Sequence, residues 1–254
     1  MRQLLMLALA GFREAIRNRV TVVVAVFALV LIALTSVVMN LTVLSLDRVV
    51  TDFGLGVMSL LMISLTIFMS VGMLNRELER RTVFLIVSRP ISRSLFIVGR
   101  YVGVMATLTL LLLAMSAVYA AQIVIFDVPT ANSVPAAIAG LWCQLLLLLA
   151  MGLFFSSMSG QVTAAICVVG LYLVGQWTSD LHVLAVKLGP VMGAIARGGY
   201  YVLPNFARMD FKPQAAAGAS VTMGEFLDGL GTSVGWSLLF LVGATLLFRR
   251  RDFK

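Results

Sequence analysis

Charge is what this 254-residue sequence has least of. Only 12% of its residues are Asp, Glu, Lys or Arg, whereas 61% are hydrophobic. A soluble domain carries about 25% charged residues. The low charge content therefore excludes an ordinary soluble domain and predicts an integral membrane protein.

Histidine and cysteine are also scarce. The chain has one histidine, His182, and two cysteines, Cys143 and Cys167, which both fall inside predicted membrane spans. These residues offer no zinc-site spacing and indicate no disulfide framework. The one G-x-S-x-G match, around Ser233, is followed by no histidine, which that catalytic motif requires. We therefore expect no metal, no cofactor and no catalytic centre.

Two further absences concern the source of energy. No glycine is followed directly by a lysine, whereas a P-loop needs that pair to hold phosphates, so we expect no ATP binding of that kind by this chain. The predicted spans also contain no Asp, Glu, Lys or Arg, although ion-coupled carriers usually keep such groups inside the membrane. Any transport is therefore expected to be powered by another polypeptide.

Long uncharged hydrophobic runs predict six transmembrane helices in one domain, residues 1–254. A helical span needs about 20 mostly apolar residues. The uncharged run 128–179 has 52 residues, too many for one crossing at about 1.5 Å per residue, so it is predicted to fold back at Ser156–Gln161. The predicted spans are 20–40, 53–75, 101–126, 134–156, 162–179 and 229–248.

Basic residues predict the orientation of these spans. Of the 19 lysines and arginines, four precede the first span, six lie between the second and third, and four follow the last. The positive-inside rule places these three regions, and thus both termini, on the cytoplasmic side of the cell inner membrane. The net charge of +8 therefore follows from topology and does not indicate nucleic-acid binding.

Two segments are predicted to lie at the membrane surfaces. In residues 1–19, apolar residues at helical spacing form one stripe and arginines fall on the other side. This pattern predicts an amphipathic helix in the cytoplasmic interface, in contact with lipid. Residues 180–228 are predicted to be an extracytoplasmic segment of short helices lying on or dipping into the outer leaflet. Thr222 and Glu225 form a capping-box pattern, so the last helix is predicted to begin near Met223.

The segment 76–100 combines six arginines with five consecutive apolar residues, 83–87. Glu77 and Arg81 have the favourable i,i+4 order, so the helix of the second span is predicted to continue into this segment. Pro90 suits the first turn of the next helix. A solvated basic loop does not explain apolar residues beside glutamates. A short helix with an apolar face and a charged rim, docked in a groove on a cytoplasmic partner, explains both.

On these residues the chain resembles a known family. The stretch Glu79–Arg93, E-R-R-T-V-F-L-I-V-S-R-P-I-S-R, resembles the segment after the second span of ABC-2 type permeases, the membrane subunits of ATP-binding-cassette transporters. The ending Leu246–Phe253, L-L-F-R-R-R-D-F, is similar to their C-terminus. The layout is nearest to small six-span permeases such as the one associated with nitrous-oxide reductase maturation.

The resemblance implies an all-α, exporter-like permease that pairs with a second copy or a related permease. Each half is docked on a separate cytoplasmic ATPase, which binds the ATP and Mg²⁺. In the family, a coupling helix after the second span enters the ATPase, and a later turn makes a smaller contact. Carried onto this chain, the coupling region begins at Glu79, Arg80, Arg81 and Thr82 and ends at Arg89, Pro90, Ser92 and Arg93, with the smaller contact at Ser157 and Gln161. The predicted ATPase-coupling residues are these together with Glu77, Val83 and Phe84 of the predicted docking helix.

Several functional questions stay open on the residues alone. The cargo is not identified, outward transport follows only from family analogy, and an extracytoplasmic partner is not excluded. A second function remains possible, that of a non-transporting membrane scaffold in which the same kind of ATPase drives a conformational signal. An intramembrane enzyme is disfavoured by the missing catalytic residues.

Reporter fusions test the predicted topology. We expect a fusion after Phe126 and a fusion after Lys254 to report opposite sides of the membrane, because the basic residues place Phe126 outside and Lys254 inside. Paired phosphatase and fluorescent-protein fusions measure this, and the same side for both would contradict the six-span topology.

Overall fold

The described part of the chain is a bundle of α-helices. The computed structural model describes residues 46–79, 93–125, 127, 131–178, 193, 198–200 and 202–250, together with isolated residues between 22 and 37. Within these residues all regular secondary structure is helical and no strand occurs. We number the longer described helices α1 (Leu46–Glu79), α2 (Arg93–Ile125), α3 (Val134–Met158), α4 (Gln161–Gln176), α5 (Lys212–Ala216) and α6 (Met223–Arg250).

Four of these helices, α1, α2, α3 and α6, are long and apolar enough to cross a membrane. Their apolar stretches are Arg48–Gly72, Leu95–Ile125, Val134–Met158 and Met223–Leu247. The chain is therefore a multi-pass membrane protein, as its composition predicts, and the regular secondary structure of its described residues is helical. Helix α4 is also apolar, but its 16 residues extend only about 24 Å, less than a hydrocarbon layer of about 30 Å. The total of six transmembrane helices stays a prediction.

The first two described helices extend well beyond the predicted spans. Helix α1 begins at Leu46 rather than at residue 53, so Arg48 belongs to the helix and not to a loop. It ends at Glu79, which confirms that the helix continues into the segment 76–100. Helix α2 begins at Arg93 rather than at residue 101. The end of α1 at Glu79 and the start of α2 at Arg93 are thus charged and lie outside the apolar stretches of these helices.

The start of α6 agrees with its predicted capping box. The backbone N–H of Thr222 donates to Glu225 Oε2 at 3.0 Å, and the N–H of Glu225 donates to Thr222 Oγ1 at 3.4 Å. The two side chains satisfy donors that a helix start leaves without partners. The helix therefore begins at Met223, ahead of the predicted span at 229.

Helix α3 forms the centre of the bundle and contacts each of the other described helices. It begins with Pro135 in its first turn, where the missing N–H would have no partner anyway. Every residue in 147–153 is buried, so protein surrounds this part of the helix on all sides. By contrast, only 22% of the residues in an apolar 18-residue window of α6 are buried, against 67% for α3. Helix α6 therefore lies at the edge of the described bundle.

The chain folds back between α3 and α4, where small polar residues cluster. Helix α3 ends at Met158, Ser159 is extended, and α4 begins at Gln161. The N–H and Oγ of Ser159 both donate to the carbonyl of Phe155 at 3.0 Å. This satisfies one of the carbonyls that a helix end leaves open. The fold-back predicted at Ser156–Gln161 is confirmed.

Helices α1 and α3 touch where both carry small residues. A Cβ added at Gly152 would overlap the side chain of Ser70. Ser70 is buried and its Oγ donates to Ile67 O at 3.0 Å. Nearby, Ser156 Oγ donates to Val71 O at 3.3 Å and links the two helices. Small residues of this kind let membrane helices approach closely.

Adding one methyl group tests this contact. We expect Gly152→Ala to destabilise the protein, because the new Cβ pushes α1 and α3 apart and overpacking costs about 1–3 kcal/mol. Gly170→Ala on α4 is the matched control: its Cβ meets nothing within 4 Å, and alanine favours helix over glycine. Thermal unfolding of the purified protein in detergent measures both, and equal melting temperatures would contradict the close contact.

Candidate functional site

The predicted coupling residues fall at the ends of α1 and α2. Glu77 and Glu79 lie in the last turns of α1, and Arg93 is the first residue of α2. Residues 80–92, which include the other predicted coupling residues of this segment, lie outside the described residues. The apolar stretch of α1 ends at Gly72, and seven further residues carry the helix about 10 Å beyond it. One continuous helix therefore joins the membrane-length stretch to the charged segment.

The turn between α3 and α4 lies at the same end of the bundle, which we call the Glu79 end. Phe154 of α3 packs beside Phe96 at the start of α2 and beside Ala244 near the end of α6. Ser157 is buried and its Oγ donates to Phe154 O at 2.6 Å, whereas Gln161 is exposed. A partner that docks on this turn would therefore contact Gln161 rather than the Ser157 side chain.

At the opposite end, which we call the Arg208 end, residues 202–222 fold into the bundle. Short helices were predicted here, and the structure contains a 3-10 turn at Ala207–Met209 and helix α5. Their surroundings differ from the prediction of helices on or in the outer leaflet. Phe206, Met209 and Phe211 are buried in the protein core. The described part of this segment is thus a structural layer of the bundle.

The segment satisfies backbone groups at the end of α4. The N–H of Phe206 donates to Gly175 O at 3.1 Å, and Gln144 Nε2 donates to Phe206 O at 3.3 Å. A Cβ at Gly175 would stand 2.6 Å from Pro204 O, and a Cβ at Gly140 would overlap Met209 O. Because the two glycines have no Cβ, the segment docks closely against α3 and α4. Its backbone groups then find hydrogen-bond partners, and leaving them unsatisfied would be costly away from water.

An ion pair from the same segment reaches a membrane-length helix. Lys212 Nζ lies 3.5 Å from Asp210 Oδ2 and donates to Ser59 Oγ of α1 at 3.1 Å. Ser59 Oγ in turn donates to Gly56 O at 2.8 Å. Both charged side chains are only 19% exposed. The ion pair with Asp210 and the hydrogen bond to Ser59 hold the lysine against α1 in a largely buried position.

This ion pair is the main feature that sequence reasoning missed. Ser59 lies 13 residues before Gly72, about 20 Å along α1, and hence well inside its apolar stretch. The predicted spans themselves carry no charged residue. Lys212 comes from outside the spans and still places its ammonium group against one. The spacing Asp210-Phe-Lys212 was the available signal, but it is common in solvated loops.

A second ion pair joins the segment to α6. Arg208 Nη1 donates to Asp228 Oδ2 at 3.1 Å, and its guanidinium lies over the ring of Tyr200, 5.4 Å from the centroid. Beside the pair is an open groove of about 370 Å³ along α6. Residues lining the groove include Tyr200, Asn205, Arg208, Thr232, Trp236 and Leu239. The groove therefore combines a cation, polar side chains and an apolar wall.

Comparison with known proteins finds no family model and no curated protein that matches the chain. Among the described residues, no cluster of His, Cys, Asp and Glu could hold a metal ion. Function must therefore be argued from the sequence motifs and from the two ends of the bundle.

The Lys212–Asp210 pair can be tested by a double-mutant cycle. We expect Lys212→Met to lower stability by about 1–3 kcal/mol, because it leaves the largely buried Asp210 carboxylate without its cation. Adding Asp210→Asn removes that charge, so the double variant should be less destabilised than the sum of the single variants. Thermal unfolding in detergent measures all three, and strict additivity would show that the pair is not coupled.

Proposed function

We propose that the chain is the permease subunit of an ABC-2 type transporter in the cell inner membrane, with both termini cytoplasmic. It moves a cargo outward, using ATP hydrolysed by a separate cytoplasmic ATPase docked on residues 76–100. The motif Glu79–Arg93 supports the family, and the helical membrane architecture is compatible with it. The observation that carries the proposal is the continuity of α1 from its apolar stretch into the charged segment.

In the proposal, α1 and α2 transmit force because each extends without a break from its apolar stretch toward the docking segment at the Glu79 end. Helix α1 has 34 residues, about 51 Å, and so extends far past a hydrocarbon layer of about 30 Å. Helix α2 begins two residues before its apolar stretch at Leu95. Both helices pack on α3, and close-packed interiors transmit displacement rather than absorbing it. In the proposed mechanism, an ATPase that pushes on residues 80–92 therefore tilts α1 and α2 relative to α3.

Pairing with a second permease copy, or with a related permease, is part of the proposal. An exporter of this kind moves its cargo between two halves. The edge position of α6, with exposed Leu238, Val242 and Leu246, leaves an apolar face that contacts lipid or another subunit. An additional partner on the Arg208 side is compatible with this arrangement.

Docking of the ATPase should depend more on apolar contact than on charge. Burial of a medium-sized apolar side chain contributes about 1.5–3 kcal/mol, whereas an exposed ion pair contributes about 0–1 kcal/mol. We therefore expect Phe84→Asp to abolish ATPase co-purification and Arg93→Ala to reduce it only slightly. The measurement is affinity purification from native membranes in mild detergent, followed by mass spectrometry for a P-loop ATPase and by vanadate-sensitive ATP hydrolysis.

Met223→Asp is the matched control for Phe84→Asp. It puts the same carboxylate on a residue that is 73% exposed in the first turn of α6, where a negative charge is favourable. Membrane insertion is verified for each variant by fractionation. Unchanged ATPase co-purification with Phe84→Asp would show that the segment is not the docking element. An ATPase that co-purifies while no candidate cargo stimulates hydrolysis would favour the scaffold function instead.

A further inference from the structure

The groove along α6 is polar at one end and apolar at the other. Arg208, Asn205 and Thr232 lie toward the start of α6, and Trp236 and Leu239 lie further along it. Leu239 follows Thr232 by seven residues, about 10 Å along the helix. Gly231 and Gly235 also line the groove, and a Cβ added to either would meet nothing within 4 Å. The polar end of the groove thus suits the headgroup of an amphiphile, and its apolar end suits the first carbons of the hydrocarbon chain.

The position of α6 places the polar end at a membrane surface. Asp228 precedes Leu247, the end of the apolar stretch, by 19 residues, about 28 Å along the helix. A hydrocarbon layer is about 30 Å thick. When Leu247 lies at one edge of that layer, the Arg208–Asp228 pair lies at the other, where lipid headgroups are found. The apolar end of the groove then faces acyl chains.

The charges at the polar end complement a zwitterion. Arg208 supplies a guanidinium, whose planar donors match phosphate oxygens. Asp228, 62% exposed and 3.1 Å from Arg208 Nη1, supplies an acceptor for a primary amine.

We propose that this groove binds one phospholipid whose headgroup carries a phosphate and a primary amine. The phosphate contacts Arg208, the amine contacts Asp228, and one acyl chain runs along α6 past Trp236 and Leu239. The net neutral Arg–Asp pair selects a zwitterionic headgroup over an anionic one. This inference goes beyond the proposed transport function and does not depend on it.

Native mass spectrometry of the full chain in mild detergent tests the site. The probes are phosphatidylethanolamine, phosphatidylglycerol and inorganic phosphate, each added at the same concentration. We expect one phosphatidylethanolamine per chain, weaker phosphatidylglycerol binding and no retained inorganic phosphate. Arg208→Gln should weaken phosphatidylethanolamine binding about tenfold, because it removes a charge-assisted hydrogen bond.

A second variant blocks the groove without touching the ion pair. Gly235→Leu fills the groove with a side chain, and Gly224→Leu places the same side chain on the same helix outside it. Neither position has a neighbour within 4 Å of an added Cβ, so both variants are expected to fold. We expect Gly235→Leu to lose the lipid and Gly224→Leu to keep it.

Three outcomes would overturn the proposal. The first is equal lipid retention by the wild type and Gly235→Leu. The second is phosphatidylglycerol binding that matches or exceeds phosphatidylethanolamine binding. The third is conversion of a dimer to a monomer by Gly235→Leu, seen by light scattering with lipid binding unchanged, which would assign the groove to a second copy of the chain.

Discussion

Buried backbone groups must find partners within the protein, and the packing of residues 202–222 on α3 and α4 depends on that requirement. Gly175 near the end of α4 is buried in the protein, so its carbonyl cannot rely on bulk water. Phe206 supplies an N–H to Gly175 O, and Gln144 supplies a donor to Phe206 O. The irregular segment is tolerated inside the bundle because the protein pairs its buried backbone groups.

Small residues mark the closest contacts of the bundle, and at Gly175 the contact includes a backbone hydrogen bond. A backbone hydrogen bond between two elements forces them closer than most side chains allow. Gly175 and Gly140 admit the segment, just as Gly152 admits α1. Helix α3 can therefore contact all the other described helices, and a displacement of α1 or α2 cannot leave it unaffected. Helix α3 thus packs against elements at both the Glu79 end and the Arg208 end.

Local sequence patterns predicted the features that depend on neighbouring residues. The Thr222/Glu225 capping box located the start of α6, and the cluster at Ser156–Gln161 located the fold-back. Periodicity did not reveal the docked segment, because its receiving residues are far away in sequence: Gln144 is 62 positions from Phe206 and Ser59 is 153 from Lys212. The coupling role of residues 80–92 rests on motif and composition alone and stays a prediction.

The late position of Lys212 in the chain constrains the order of assembly. Its ammonium group donates a hydrogen bond to Ser59, which belongs to the first long described helix. Ser59 is synthesised 153 residues earlier. During synthesis α1 to α4 therefore leave the ribosome before the segment that completes their packing. The contact between Lys212 and Ser59 therefore cannot form until that segment has been synthesised.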